Sequence, residues 1–508
     1  MVIAVNPMKS NAGTSTAPRR DRHTRRVLRA AGASLCFAAL LTALLLLPGC
    51  VHFVNKPLSP EKSAQALEAR SLTNEDLKVF LEKNLHRDLA QWPAAKWDFD
   101  MLMLATFYYQ PSLEVARAEW RQAQGGTKTA AGRPNPTVSP SIGYDNGIAN
   151  NFTPWLPGIT FDVPLETAGK RKRRIQQAEA LSASARFKLA TAAWQARSDL
   201  RNSLLDWTFA QRRVEALQRQ VGLQQDIANR LRQELEAGAI ASTEITAARV
   251  ALARSHADLA AAQRTLATSR ARVAESIGVS TTALKGVALD ASQLTAPGPE
   301  ALSSANMRSQ ALQRRTDILG ALAEYAASQS ALQLEIAKQY PDVHLTPGYL
   351  FNQGNEGDHE WQLGATVELP ILNQNQGPIA EAEARRTATA ARFLALQAKV
   401  IADIDRAVAT AQAGRESLSA LRALAAQEQK QRENVQSQLN AGATDRLELL
   451  NAELTVLNAN VAVLDEELNW EQALGALEDA VQWPIFGNAA LAPKSGSPLL
   501  ETSPTAAN

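Results

Sequence analysis

From Lys170 to Ala237 the chain runs without a proline and with one glycine, Gly222; from Ile379 to Ala441 it does so again, with Gly414 alone. Alanine and long straight-chain residues fill both runs, so helix propensity is high throughout. At 1.5 Å per residue, more than sixty residues extend roughly 90–100 Å, which no compact domain accommodates. Each run ends in the same way. "LEAGAIASTEITAA" begins at Leu235 and "LNAGATDRLELLNA" at Leu439, each setting Ala-Gly-Ala before a second helical run. Glycine permits the tight reversal. The expectation is two long helical hairpins folded back at Gly238 and Gly442. Sustained heptads with large apolar a and d residues are absent, which argues against a solitary coiled coil.

The tips belong to a longer echo, the first thing to look for in a 508-residue chain. "PTVSPSIGY" from Pro136 matches "PDVHLTPGY" from Pro341, and "FDVPLETAGKRKRRIQQAEA" from Phe161 matches "VELPILNQNQGPIAEAEA" from Val367. Each half reads helix, short strand, loop, short strand, long helix, tip, helix. The join is "APGPE" near Pro297, and the tail after Pro484 is rich in Pro, Ser and Ala, which predicts disorder.

The short segments carry a period of two. Trp361, Leu363, Ala365, Val367 and Leu369 alternate with Gln362, Gly364, Thr366 and Glu368; Ile159, Phe161 and Val163 alternate with Thr160 and Asp162. That describes a half-buried strand, and equally a membrane strand with lipid on one side and water on the other, flanked by Tyr144, Trp155, Tyr349 and Trp361. Pro140 and Pro347 each remove a ladder donor and count against a regular sheet. Four strands cannot close a barrel, and an open edge cannot face lipid. If the strands lie in a membrane, several copies share one barrel, and three copies make twelve strands.

The N-terminus supplies an address. Lys9, Arg19, Arg20, Arg22, Arg25, Arg26 and Arg29 precede an apolar run that stops at "LPGC". Leu47 and Gly49 around Pro48 resemble a bacterial lipobox, with Cys50 acylated; an uncleaved anchor over Ala30–Leu47 is the alternative. Translation starts at Met1 or Met8. Cys36 leaves with a cleaved signal, so the mature chain has no free thiol and no disulfide. Val51 after Cys50 points to the outer membrane. A formal net charge of +2 argues against nucleic-acid binding. Aromatics at 5 % are poor material for one thick core and suit helices packed through small side chains.

Order, spacing and duplication together resemble the TolC-like outer-membrane efflux family from about Trp97 to Trp483, on the tandem repeat, the two strand-to-helix passages, "AGRPNP" and the two tips. "ETAGKR" from Glu166, "AGRPNP" and "NQNQG" look most like the heavy-metal-efflux branch of CzcC-like and CusC-like channels. The resemblance implies a mainly α fold with a small β part: two long hairpins forming a periplasmic α-barrel, and four transmembrane strands per protomer in a 12-stranded barrel shared by a homotrimer. Two helices per protomer are continuous and two are paired short ones. It implies a passive exit duct fed by a periplasmic adaptor and an inner-membrane pump of the RND type, with loops "NGIANNFTPWLPG" and "NQGNEGDHEW" outside. The chain then divides into a lipoprotein signal peptide (1–49), a lipidated segment and linker (50–96), two repeats (97–295 and 300–483) and a disordered tail (484–508).

The family places acidic residues beside the periplasmic entrance. Glu244 and Glu448 each lie six residues after a tip glycine; Asn451 stands where the family has a further acid. Three copies of Glu448 around an axis would attract cations. Asp445 and Glu448 equally read as an N-cap and its capping-box partner. Gly238, Ala239, Ile240, Ser242, Gly442, Ala443 and Thr444 are the expected adaptor-contacting tips. "KRKRR" from Lys170 reads as a solvated collar or a headgroup contact rather than a nucleic-acid site. Six scattered histidines show no ligand spacing, "DHE" at Asp358 is no zinc-protease motif, and no phosphate loop or triad order occurs, so neither enzyme, cofactor nor resident metal is expected. A periplasmic adaptor lipoprotein, the competing reading, would carry one hairpin within a lipoyl-like domain; this chain has two, each after a strand pair. A duct for drugs or for type I protein export is the alternative within the family.

Overall fold

The computed structural model describes residues 52–144, 146, 155–294, 304–352 and 358–501. The expected signal peptide, Cys50, the join near Pro297 and most of both connecting loops lie outside the described residues. Two compact units divide the chain, 1–63 and 64–508. Of the first, His52–Ser59 has no regular structure and a helix, Pro60–Glu68, begins at its end.

The second unit carries the duplication in its element lengths. After α1 (Glu75–Leu85) and α2 (Phe99–Tyr109) come α3 (Pro111–Ala131), β1 (Thr137–Tyr144), β2 (Trp155–Leu165), α4 (Lys170–Glu236) and α5 (Ser242–Ile277). The second half repeats them as α6 (Ser304–Arg314), α7 (Thr316–Ala337), β3 (Val343–Asn352), β4 (Asp358–Val367), α8 (Gln376–Asn440) and α9 (Arg446–Val481). The long helices have 67 and 65 residues, and the returning helices 36 each. At 1.5 Å per residue α4 and α8 reach about 100 Å. α4 packs on α3, α5, α7 and α9, and α8 on α6, α7 and α9.

Each returning helix stops where a shorter one starts, so two helices stack end to end along a long one. α5 ends at Gly278, whose φ is 85° and whose Cβ, were there one, would lie 2.8 Å from the Tyr109 carbonyl oxygen. Only glycine meets both demands. Gln110, just before α3, donates its side-chain amide to the Ser276 carbonyl at 3.0 Å, satisfying an end that the helix leaves open. The second joint uses other residues for the same task. The Gln482 side-chain oxygen accepts from the Thr316 backbone N–H at 2.8 Å, and Arg315 donates to the Asp479 carbonyl at 3.2 Å and to that of Ala480.

α2 is buried at every position, from Phe99 to Tyr109. A helix apolar all round has no solvent face and belongs at a centre. It anchors a hub with α1, Trp97, the middle of α4 and the ends of α5 and α9. The expected disordered tail joins this hub over its described part. Phe486, Leu491 and Leu500 are buried there, the Trp194 indole donates to the Pro493 carbonyl at 3.0 Å, and Arg117 donates to the Leu500 carbonyl at 2.7 Å. Composition misled because a few apolar anchors and caught carbonyls order a segment otherwise rich in small residues.

The basic run is likewise no solvated collar. Arg171 donates to the Ala131 carbonyl at 2.9 and 2.7 Å, and Arg174 to those of Ala130 and Gly132 at 2.9 Å each, so both close the C-terminus of α3. Lys170 is buried and pairs with Asp342 at 2.8 Å; Arg174 pairs with Glu166 at 2.6 Å.

The four strands form one antiparallel sheet in the order β1-β2-β3-β4. Pro140 and Pro347 both sit inside it, as do Pro157 and Pro164 of β2. Pro140 is on edge strand β1, where a missing donor costs little. Pro347 is on β3, and there the β2–β3 pairing lapses opposite Phe161 and Asp162, to resume at Val163↔Leu345 in the same register.

Candidate functional site

Directly opposed residues of an antiparallel pair share a face, and alternate residues change face. The observed register therefore sorts the sheet. One face collects Val138, Pro140, Ile142 and Tyr144 with Phe161, Ile159, Pro157 and Trp155, then Leu345, Pro347 and Tyr349 with Ala365, Leu363 and Trp361. The other is largely polar, with Ser139, Ser141, Gly143, Gly158, Thr160, Asp162, His344, Thr346, Gly348, Gln362, Gly364 and Thr366, and includes Leu156, Pro164 and Leu350. Among the described residues nothing covers the apolar face: Ile142 is 73 % exposed, Trp361 80 % and Leu363 79 %. Soluble monomers rarely expose so continuous an apolar surface. Aromatic pairs close its loop-side end, Tyr144 on Trp155 at 5.1 Å and Tyr349 on Trp361 at 4.9 Å between ring centroids. Such rings favour a membrane–water boundary.

At the far end of the helices the two tips are built alike. Gly238 (φ 75°) and Gly442 (φ 72°) are left-handed. The Ala239 N–H reaches the Glu234 carbonyl at 2.8 Å and the Ala443 N–H the Gln438 carbonyl at 2.8 Å, the long bond of a Schellman turn. Ala239, Ser242, Glu244 and Ala443 are exposed and Thr444 half-buried. Ile240 is half-buried. It packs with Leu235, Ile245 and Leu447 in a cluster holding the two tips of the chain together.

The tips differ in their caps. Asp445 accepts from the Glu448 N–H at 2.9 Å, an N-cap, whereas Ala241 offers α5 no side-chain cap. The Glu448 carboxylate is exposed and accepts from the Thr444 hydroxyl, so it does not close the reciprocal half of a capping box. Asn451 is exposed one turn further along.

Sequence reasoning missed a charge network at the hub. Arg197 and Arg201 on α4 both reach Glu478 on α9, Arg201 at 3.4 Å, and Arg201 also pairs with Asp479 at 2.6 Å. Arg197 donates to the Phe486 carbonyl at 2.6 Å and lies over the Phe99 ring at 5.2 Å. Arg197 is 2 % exposed; Arg201 and Glu478 are 0 %. Gly475 makes the room: a Cβ there would stand 2.6 Å from Arg201 Nε. Two arginines one turn apart in an alanine-leucine helix, and an adjacent Glu-Asp in another, were the available signal. Nearby on α9, burial with Glu467 alongside pushes the Glu471 carboxyl up to about 8.

Long paired hairpins joined to a small sheet with an exposed apolar face describe a chain built to seat that sheet in an apolar environment. Residues 109–279 and 307–481 match the family described as Outer membrane efflux protein. The chain belongs to that family, and its place is the outer membrane as an efflux channel. It is 23 % identical over 356 residues to the cobalt-zinc-cadmium resistance protein CzcC of Cupriavidus metallidurans, covering 70 % of this chain and 82 % of that one. Its fold matches CusC, a structure concerned with folding and transmembrane channel formation, with a TM-score of 0.60 at 18 % identity over 75 % of this chain and 91 % of the other. The outer membrane protein VceC of Vibrio cholerae matches with the same score and identity, covering 75 % and 95 %.

Proposed function

We propose that three copies close a 12-stranded barrel and a helical tunnel, and that the assembly is the passive exit duct of a tripartite efflux system. The observation carrying this reading is that among the described residues the sheet edges, β1 and β4, have no further strand beside them and the apolar face is exposed. An open edge in lipid leaves backbone groups unsatisfied, so a second copy must supply the missing strand. The duplication names the pairing. β1 corresponds to β3 and β2 to β4, so the β2–β3 junction within a chain is the pattern for β4 against β1 of the next copy. The pairs Thr160↔Gly348 and Val163↔Leu345 then translate to Thr366↔Gly143 and Leu369↔Pro140, with Val367 opposite Ile142 between them. On the apolar face Val367 and Leu369 then lie beside Ile142 and Pro140, and on the other face Thr366 lies beside Gly143, so the two faces continue across the seam.

Cysteines at Ile142 and Val367 test it. Directly opposed residues in antiparallel strands have Cα atoms about 4.5–5.5 Å apart, within disulfide reach. Inside one chain the same two strands are three spacings apart, about 14 Å, and cannot be bridged. Mild oxidation of the double variant is expected to give a covalent trimer on a non-reducing gel, and either single variant none. Monomer alone from the double variant would overturn the shared barrel.

The cargo we infer is heavy-metal cations, on the likeness to CzcC, a cobalt-zinc-cadmium resistance protein. A periplasmic adaptor at the tips and an RND-type inner-membrane pump complete the path, and acylation at Cys50 holds the N-terminus to the membrane. The exposed Glu448 carboxylate, presented three times around the entrance, draws cations in. Glu448→Gln is expected to lower cation preference in bilayer recordings about two- to fivefold while the trimer stays intact, as for one charge per copy near a wet pore. Unchanged selectivity would leave Glu448 with only its contact to Thr444.

A further inference from the structure

The polar face of the sheet holds a side-chain pair that conduction alone does not require. His344 on β3 sets Nδ1 at 3.0 and 3.1 Å from the two carboxylate oxygens of Asp162 on β2. A carboxylate only accepts, so Nδ1 carries the proton and donates it. The lone pair of the neutral ring then resides on Nε2. Orientation of an imidazole by a carboxylate on its far nitrogen is the arrangement that prepares histidine to ligate a metal. Both side chains are open to solvent, at 42 % and 38 % exposure.

The surroundings favour a cation. Asp342 lies two residues before His344, just ahead of β3, and is paired with Lys170 at 2.8 Å. Glu368, exposed just past the end of β4, corresponds in the duplication to Asp162. In the trimeric duct, on which this inference rests, the polar face looks into the lumen. Asp162 and Glu368 from three copies then make a ring of carboxylates at the helix-side end of the barrel, with three imidazoles set among them.

We propose that His344 Nε2, held by Asp162, is a binding site for a divalent transition-metal cation of the zinc class, one per protomer, at the junction of tunnel and barrel. Imidazole nitrogen suits zinc, cobalt and nickel, whereas magnesium and calcium take oxygen. One imidazole with water completing the shell binds weakly and exchanges quickly. That suits a stepping place in a duct, which must release what it binds.

The test is zinc block of the purified protein in a planar bilayer, with each variant's current normalised to its own value in potassium chloride. Zinc chloride is expected to reduce the current of the parent at concentrations where magnesium chloride does not. The half-blocking zinc concentration should rise about tenfold or more in His344→Gln and at least about threefold in Asp162→Asn, as for loss of a ligand and of its orienting partner. Cobalt binding to the same proteins in detergent, read by visible absorption, gives a measure that needs no insertion into a bilayer and should fall in the same order. Zinc block indifferent to His344→Gln, or magnesium acting as well as zinc, would overturn the site and leave the duct standing. A parent protein that opens no conductance at all would instead sink the duct, and this inference with it.

Discussion

Replacing Glu478 by alanine is expected to be the most destabilising single change in the helical part of the protein. The carboxylate is fully buried and faces two guanidinium groups, Arg197 and Arg201, which are themselves buried. With the carboxylate gone, Arg201 keeps Asp479, but Arg197 retains only the Phe486 carbonyl and the aromatic rings around it. Breaking a buried pair by removing one partner costs about 3–5 kcal/mol, because the remaining charge is neither hydrated nor matched. The loss should spread, since the same arginine ties the C-terminal segment to α4. Thermal unfolding followed by circular dichroism in detergent should show a midpoint many degrees below the parent, and limited proteolysis should release the segment from Pro484 onward. Gly475→Ala, which drives a methyl against Arg201, should shift the midpoint in the same direction. A Glu478→Ala protein that melts with the parent and keeps its tail protected would show the network to be idle.

The second large effect is expected at the tips and should leave stability alone. Ala239 and Ala443 are exposed and follow the left-handed glycines. Their backbone N–H groups close the Schellman bonds whatever the side chain, so tryptophan at both positions preserves the hairpins. The trimer proposed above would present six such tips, near-equivalent because both turns share one geometry. Small side chains let a partner's backbone come close, and six indoles would hold it off. The Ala239→Trp, Ala443→Trp double variant should form a folded, conducting trimer that fails to capture its adaptor, with efflux in cells reduced to the level of a deletion strain. Normal efflux from that variant would mean that the adaptor grips elsewhere. Ile240 is a poor choice for this test, because it packs into the cluster joining the tips and its loss confounds contact with stability.

Much of this protein was legible from periodicity and repetition, which are local properties. The long runs could only be helices, because proline is missing and alanine abundant over more than sixty residues. The strands announced themselves by alternation, and Trp361, Leu363, Ala365 and Val367 do share a face. The tips were legible because a tight reversal between helices needs a left-handed residue, and glycine takes that conformation most cheaply. What the sequence left open was everything set by partners distant along the chain. "KRKRR" looks like a solvated run until α3 brings three open carbonyls, at Ala130, Ala131 and Gly132, within reach of two of its arginines. The tail looks disordered until Trp194, Arg117 and Arg197 each find a carbonyl in it. Arg197 and Glu478 are 281 residues apart, as are Ser198 and Asp479, and His344 stands 182 from Asp162. Charge and polarity in sequence say only that a group needs a partner. Which partner it receives depends on the register between helices and between strands, and that register is decided by packing across the whole fold.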